Sequence, residues 1–396
     1  MKGGKGKYLI CFFVTVVVMT ACKKPYNPSV ISTPGTYLVV EGVINSGADS
    51  TIIKLNHTVK LSASISINPV LDAIVSVEGD DNSSRPLSTT GKGIYFLPGL
   101  NLDITHKYRL RIKTSNNKEY ASDFAPVINS PAIDSLTYKV KSDGVDINLN
   151  THSPNNIRYY RWEYDETWVH TADFESQYKS NGDTVLPRDR VNDDIYVCWK
   201  NHKSSTITLG SSAKLAQDVI SDFLLISISR HDDKLRHRYS ILTRQYALTK
   251  EAYDFWQNLK KNTEQLGSIF DAQPSQIKGN IHSVTDANEP VIGYISVGSY
   301  TTKRIYVDQY NLPPWLDPLG DGCELKPYLY FYFDPGGGPP KNQVDQYINF
   351  HKSTGELQIP VSHIVPGDVG YKASTPRCVD CTLTGTNKKP NFWIDR

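Results

Sequence analysis

The sequence contains none of the short signatures that announce a common catalytic centre. There is no G-x-S-x-G elbow on an α/β pattern, no H-E-x-x-H, and no phosphate-binding G-x-x-x-x-G-K-[ST] loop. Internal repeats, heptads and low-complexity tracts are absent as well. No apolar run reaches the roughly 20 residues that a helix needs to span a bilayer. The longest one, Tyr8 to Ala21, stops at 14 residues.

That run is informative because of what flanks it. Lys2, Lys5 and Lys7 precede it with no acid among them, the basic n-region and apolar h-region of a secretory signal. Met19-Thr20-Ala21-Cys22 then resembles a bacterial lipobox, in which small residues stand just before a cysteine. The resemblance implies cleavage after Ala21 and acylation of Cys22. Each buried methylene contributes about 0.8 kcal/mol, so two or three chains hold a protein on a membrane durably. Residues 1–21 are thus expected to be a signal peptide. Residues 22–35, with Pro25, Pro28 and Pro34, are expected to be a lipid-anchored tether.

An excess of charge is also missing. The signal contains three of the 43 Lys+Arg and none of the 41 Asp+Glu, leaving the mature chain at a net −1. A near-neutral surface gives no electrostatic reason to expect nucleic acid or a polyanionic substrate.

Removal of the signal and acylation of Cys22 leave four cysteines: Cys198, Cys323, Cys378 and Cys381. An even set in an exported chain reads as disulfides, with three possible pairings. Cys378-Val379-Asp380-Cys381 has the spacing of a zinc ligand pair or a redox centre. Pro376 before it, and Gly385 and Pro390 after it, place it in a loop, which favours structural bonding.

Strand signals follow the tether at short intervals. Tyr37 to Ile44 is nearly continuous apolar, Ala73 to Val77 alternates, and Gly93 to Leu97 is apolar and aromatic. In His106 to Lys113, Tyr108, Leu110 and Ile112 share one face and Lys107, Arg109 and Arg111 the other. Turn residues between such segments predict an antiparallel sandwich, immunoglobulin-like, over residues 36–125. Pro126 to Pro131 is a joint. Further strands are expected at 136–140, 145–149, 157–169, 194–199, 223–229, 238–247, 291–297, 304–307 and 328–333. They predict a larger β-rich domain over 131–396, its final thirty residues strapped across it through disulfides. The whole is expected to be mainly β, two immunoglobulin- or fibronectin-like sandwiches in tandem.

One segment has helical spacing. Thr249 is an N-cap candidate, Gly267 a terminator, and Ala252, Phe255, Trp256, Leu259 and Thr263 recur on one face. An amphipathic helix near 249–266 is expected to pack on the second sandwich.

In this order the segments resemble a known family, the Bacteroidota lipoproteins catalogued as domain of unknown function 4249. The resemblance rests on Leu38-Val39-Val40-Glu41-Gly42, Tyr159-Tyr160-Arg161-Trp162 with Glu166-Thr167-Trp168, and Arg238-Tyr239-Ser240-Ile241. It continues through Phe270-Asp271-Ala272-Gln273-Pro274, Gly279-Asn280, Gly293-Tyr294, Lys303-Arg304-Ile305 and Cys378 to Cys381. The family has no assigned chemistry. Its members are commonly encoded beside TonB-dependent outer-membrane transporters, so the resemblance implies an accessory role in uptake. Surface-exported lipoproteins of that phylum often carry acids just after the anchor. Here Lys23 and Lys24 stand there, which leaves the inner leaflet of the outer membrane as the alternative to the cell surface.

Three clusters merit weighing for chemistry. His231-Asp232-Asp233, followed by Lys234, Arg236, His237 and Arg238, offers imidazole and carboxylate ligands. Its place between two strands predicts a charged turn instead, and Asp193-Asp194 and Asp80-Asp81-Asn82 read the same way. Glu163 and Glu166 lie in an aromatic strand that would suit a glycan hydrolase, although the bland reading has the rings buried and the acids in water. With 24 Tyr and 6 Trp the chain is rich in residues that serve both cores and contact surfaces. Trp315, in the loop Pro313-Pro314-Trp315-Leu316, is the best candidate for an exposed contact, although a ring folded onto its own domain is the favoured reading. No catalytic residue, metal or cofactor is expected. The leading expectation is a non-enzymatic lipoprotein working with a transporter; the alternatives are an envelope glycan or peptide hydrolase and a structural or adhesive module.

Overall fold

The structure, a computed structural model, describes residues 37–59, 67–264, 278–315, 322–350 and 355–395. The signal, the tether, Cys22, the 270–274 segment and Gly267 lie outside them. The described chain is mainly β, built from antiparallel sheets that do not close into a barrel. Among the described residues no helix is long and apolar enough to cross a membrane.

The first sandwich forms where alternation is cleanest. In Lys107–Lys113, Tyr108, Leu110 and Ile112 are buried, while Arg109 and Arg111 turn outward to Glu78 at 2.7 Å and Glu119 at 2.5 Å. That sheet runs Ile281–Ser283, Glu119–Ser122, Lys107–Lys113, Ile74–Gly79, Ser84–Pro86. The facing sheet runs Val291–Gly293, Leu38–Ile44, Thr51–His57, Ile94–Leu97, Ser88–Gly91. Leu38, Val40, Ile53, Leu55, Val75, Val77, Leu110 and Ile112 interdigitate between them. Gly42 has φ +145°, and a Cβ there would lie 2.4 Å from the Ile52 carbonyl oxygen, so the partner strand's approach requires glycine.

Both sheets borrow an edge from far downstream, which corrects the expected boundary at 125. Leu38–Ile44 pairs in parallel with Val291–Gly293 and Ser296–Val297, and Glu119–Ser122 pairs with Ile281–Ser283. Ile281, Val291, Ile295 and Val297 complete the first core. The Asn280 side chain holds this excursion together, accepting from Ile295 N–H at 2.8 Å and donating to its carbonyl at 2.9 Å. Glu289 fastens it, accepting from the Tyr120 hydroxyl and from Lys118 at 2.9 Å each.

The second sandwich faces Ile133–Val140, Gly144–His152 and Val219–Ser229 against Val197–Lys203, Tyr159–Thr171, Arg238–Leu248 and Tyr300–Asp308. Ile147, Leu149, Tyr160, Trp162, Tyr239 and Ile241 fill it. Trp162 donates its buried indole N–H to Gln245 at 2.9 Å, which satisfies its one polar atom. The expected helix spans Lys250–Glu264, with the Thr249 hydroxyl accepting from Ala252 N–H at 3.1 Å as its cap. It packs on the large sheet's outer face, where the Arg161 guanidinium lies 4.2 Å from the Trp256 ring centroid and 4.7 Å from that of Tyr246. Phe255 reaches Tyr294 of the downstream excursion at 5.4 Å, so the helix touches both sandwiches.

The C-terminal part is more than a strap. Lys326–Leu329, Gly370–Ser374 and Ile359–His363 form a small sheet beside the hairpin Tyr178–Ser180/Val185–Pro187, and Val344, Ile348, Tyr371 and Ala373 make its core. The strand expected over 328–333 pairs in this sheet only as far as Leu329.

Candidate functional site

A dense polar cluster sits at one end of the second sandwich. Pleating turns Tyr160, Trp162, Tyr164, Glu166 and Trp168 of Tyr159–Thr171 to the same, inward side. The neighbouring strand sets His202 opposite Glu166 and Lys200 opposite Trp168; the other neighbour sets Tyr239 opposite Trp168. The chain then crosses from one sheet to the other through the turn Arg230–His237, which folds over this row. Asp232 caps its short 3₁₀ segment Asp233–Leu235, accepting from Lys234 N–H at 3.0 Å.

Two carboxylates organise the contact. Glu166, fully buried, accepts from the Tyr239 hydroxyl and from Lys234 Nζ on Oε1 at 2.9 Å each, and meets His202 Nδ1 on Oε2 at 2.9 Å. Asp233 Oδ2 takes His170 Nδ1 at 2.8 Å, the Trp168 indole N–H at 3.1 Å and Lys200 Nζ at 3.5 Å. His237 Nε2 stands 3.1 Å from the Thr171 hydroxyl.

The electrostatics follow from this packing. Burial pushes the Asp233 carboxyl up, but the His170 hydrogen bond and charge, the Trp168 N–H and Lys200 outweigh it and bring it down to about 2. Burial and the negative charge of Glu166 hold the Tyr239 hydroxyl well above the usual phenol range. Burial, with Arg236 beside it, lowers His237. Both carboxylates are consumed by partners from the turn and the sheet, so the arrangement serves as a clasp that pins the inter-sheet turn.

The sequence-level candidates now have places. The charged turn expected at His231-Asp232-Asp233 is there, but its residues diverge. His231 accepts from Arg230 outside, and Asp233 and Lys234 point in. Glu163 and Glu166 lie on opposite faces of their strand and do not converge. Glu163 pairs with Arg161 at 2.7 Å and accepts from the Tyr246 hydroxyl at 3.1 Å on the outer side. Glu166 was expected in water and is buried instead. Its even spacing with Trp162, Tyr164 and Trp168 was the signal for that. Trp315, the candidate for an exposed contact, is half-buried against the second core beside Leu312, in keeping with the favoured reading of a ring folded onto its own domain.

The four cysteines pair as Cys198–Cys381 and Cys323–Cys378. The two members of the CxxC therefore bond to different partners. Asp173 approaches the sulfurs of Cys323 and Cys378, but a sulfur already in a disulfide is no thiolate ligand.

A cleft of about 590 Å³ opens where the two sandwiches meet, within the size range of small-molecule sites. Ile104 and Val127 line it from the first sandwich and the joint, Asn155, Asn156 and Tyr159 from the second, and Thr249 from the helix start. Its two cations are matched by acids, Arg158 by Asp218 at 2.9 Å and Lys250 by Asp254 at 2.6 Å. The walls thus offer amide and hydroxyl groups beside apolar side chains, with balanced charge.

No curated protein matches the sequence. A family profile described as domain of unknown function (DUF4249) matches residues 23–304, most of both sandwiches, and the chain belongs to that family.

Proposed function

We propose that the protein is a non-enzymatic lipoprotein of the outer membrane, anchored through Cys22, that serves a TonB-dependent transporter as an accessory or ligand-binding partner. The observation that carries this reading is the cleft between the sandwiches, 590 Å³ with polar and apolar walls. A space of this kind at the junction of two sandwiches suits capture of a small ligand. The lipobox at Met19 to Cys22 supplies the address, and the gene context that the family resemblance implies supplies the partner.

Two measurements test it. The N-terminal peptide of the native protein should begin at Cys22 and carry the added mass of acyl chains; an unacylated Cys22 would refute the anchor. Affinity isolation of the native lipoprotein in mild detergent should recover an outer-membrane barrel, and repeated recovery without one refutes the partnership.

A further inference from the structure

Two adjacent turns of the small C-terminal sheet carry apolar tips. Beyond Leu329 the chain runs Tyr330-Phe331-Tyr332-Phe333 and returns to Lys341. Tyr332 and Lys341 exchange backbone hydrogen bonds of 2.9 Å, so this is a closed hairpin. Phe331 is 74% exposed and Phe333 69%, while Tyr328 and Tyr330 pack on the core of Val344, Ile348 and Tyr371. A Cβ at Gly337 or Gly338 would meet nothing within 4 Å, so the hairpin's end stands clear of the body. The second turn, Ile364–Gly370, closes through Ile364 N–H to the Gly370 carbonyl at 3.0 Å and exposes Val365 (78%) and Val369 (44%). Tyr330 N–H donates to the Val369 carbonyl at 3.0 Å, which joins the two turns.

We propose that these paired tips are a membrane-contact surface that rests on the phospholipid bilayer. The proposal builds on the anchoring of Cys22. From Cys22 to the first described residue, Tyr37, are 15 residues, a reach of about 50 Å at the most. A body on so short a leash stays within reach of the bilayer, and an exposed apolar surface on it meets lipid at high effective concentration. The side chains suit an interface: phenyl and isopropyl groups are exposed, and Tyr328 and Tyr330 beside them pack on the core. Of the acids nearby, Asp334 is paired with Lys341 at 3.0 Å, and Asp368 is hydrogen-bonded to His363 at 2.8 Å. A protein-binding hot spot is typically built on Trp, Tyr or Arg; the exposed groups here are Phe and Val.

The test uses the mature chain bearing Cys22→Ala, with and without Phe331→Ser/Phe333→Ser, and vesicles of phosphatidylethanolamine and phosphatidylglycerol. The unacylated protein should co-sediment with vesicles even at about 0.5 M salt, where exposed charges are screened. The double variant, with intact disulfides and an unchanged melting curve, should partition at least roughly tenfold less, given the apolar area removed. Phe333→Trp gives a second readout: its emission should shift to the blue on vesicles and be quenched by brominated lipid. Absent vesicle binding, equal binding by the double variant, or unmoved Trp emission overturns the proposal. So does a double variant that loses a co-purifying membrane protein while keeping its vesicle binding. Acylation is read separately, from the mass of the wild-type N-terminal peptide. An unacylated Cys22 refutes the anchor reading without altering the vesicle result.

Discussion

Tyr239 donates its hydroxyl to Glu166 at 2.9 Å from the neighbouring strand, and Lys234 reaches the same carboxylate oxygen from the turn above. The strand supplies the acceptor, the partner strand and the turn supply the donors, and one buried carboxylate joins all three. Removing it strands an ammonium and a phenol in the interior. Loss of one member of such a buried set costs roughly 3–5 kcal/mol. Glu166→Ala should therefore lower the denaturant midpoint strongly, with Glu166→Gln between it and wild type. An Ala variant within about 1 kcal/mol of wild type by equilibrium unfolding would show that the clasp is incidental.

Acid should loosen the same region in two separate windows. His237 is lowered in the folded state, so as pH falls below the usual imidazole value of 6.5 the unfolded chain takes up the proton more readily and stability declines. Asp233 is depressed to about 2 from 3.8, so its contribution is complete above 3.8 and is lost as pH falls toward 2. Urea midpoints measured from pH 7 down to pH 2 should fall in both windows. Asp233→Asn should be less stable at neutral pH and flatter below 3.8. An unaltered slope there would assign acid sensitivity to other groups.

What the sequence reveals depends on how local the cause is. The alternation of Lys107–Lys113 and the 3.6-residue spacing of Lys250–Glu264 are local, and both elements form where expected. Glu166 was legible by the same rule, since its parity with Trp162 and Trp168 outweighs its charge once donors stand opposite. The pairings of the edge strands Ile281–Ser283 and Val291–Gly293 were not, although a strand is expected at 291–297. Each edge strand is three residues long, and its partners lie more than 150 residues upstream, so no window of sequence contains the pairing. Trp315 likewise depends on a core assembled from distant strands. The interunit cleft exists only through the meeting of the two sandwiches, which no periodicity encodes.

The disulfides make a prediction about connectivity. Cys198–Cys381 spans 183 residues and Cys323–Cys378 spans 55. In the chain-entropy account these loops correspond to about 5 and about 4 kcal/mol of constraint on the unfolded chain. Thiol titration of the denatured, unreduced protein should find no free thiol among the four. Cys323→Ser should expose one thiol, Cys378, and leave Cys198 linked to Cys381. A bond within the CxxC in that variant, with Cys198 free, would contradict the pairing.

The borrowed edges make the first sandwich dependent on residues that follow the helix. Cut after residue 130, the first unit keeps ten short strands of its two sheets but loses Ile281, Val291, Ile295 and Val297 from its core. It also bares the backbone of Leu38–Ile44 and Glu119–Ser122, and open edges of this kind invite pairing between chains. Four buried aliphatic side chains at about 1.5–3 kcal/mol each are comparable with the whole margin by which a domain of this size is stable. A fragment of residues 37–130 should therefore give a collapsed or aggregated species with poorly dispersed amide resonances. Adding a peptide of residues 278–299 should restore dispersion, because it carries both edge strands and the Asn280 clamp that shapes them. Well-dispersed resonances from 37–130 alone would show that the unit closes without its distant strands.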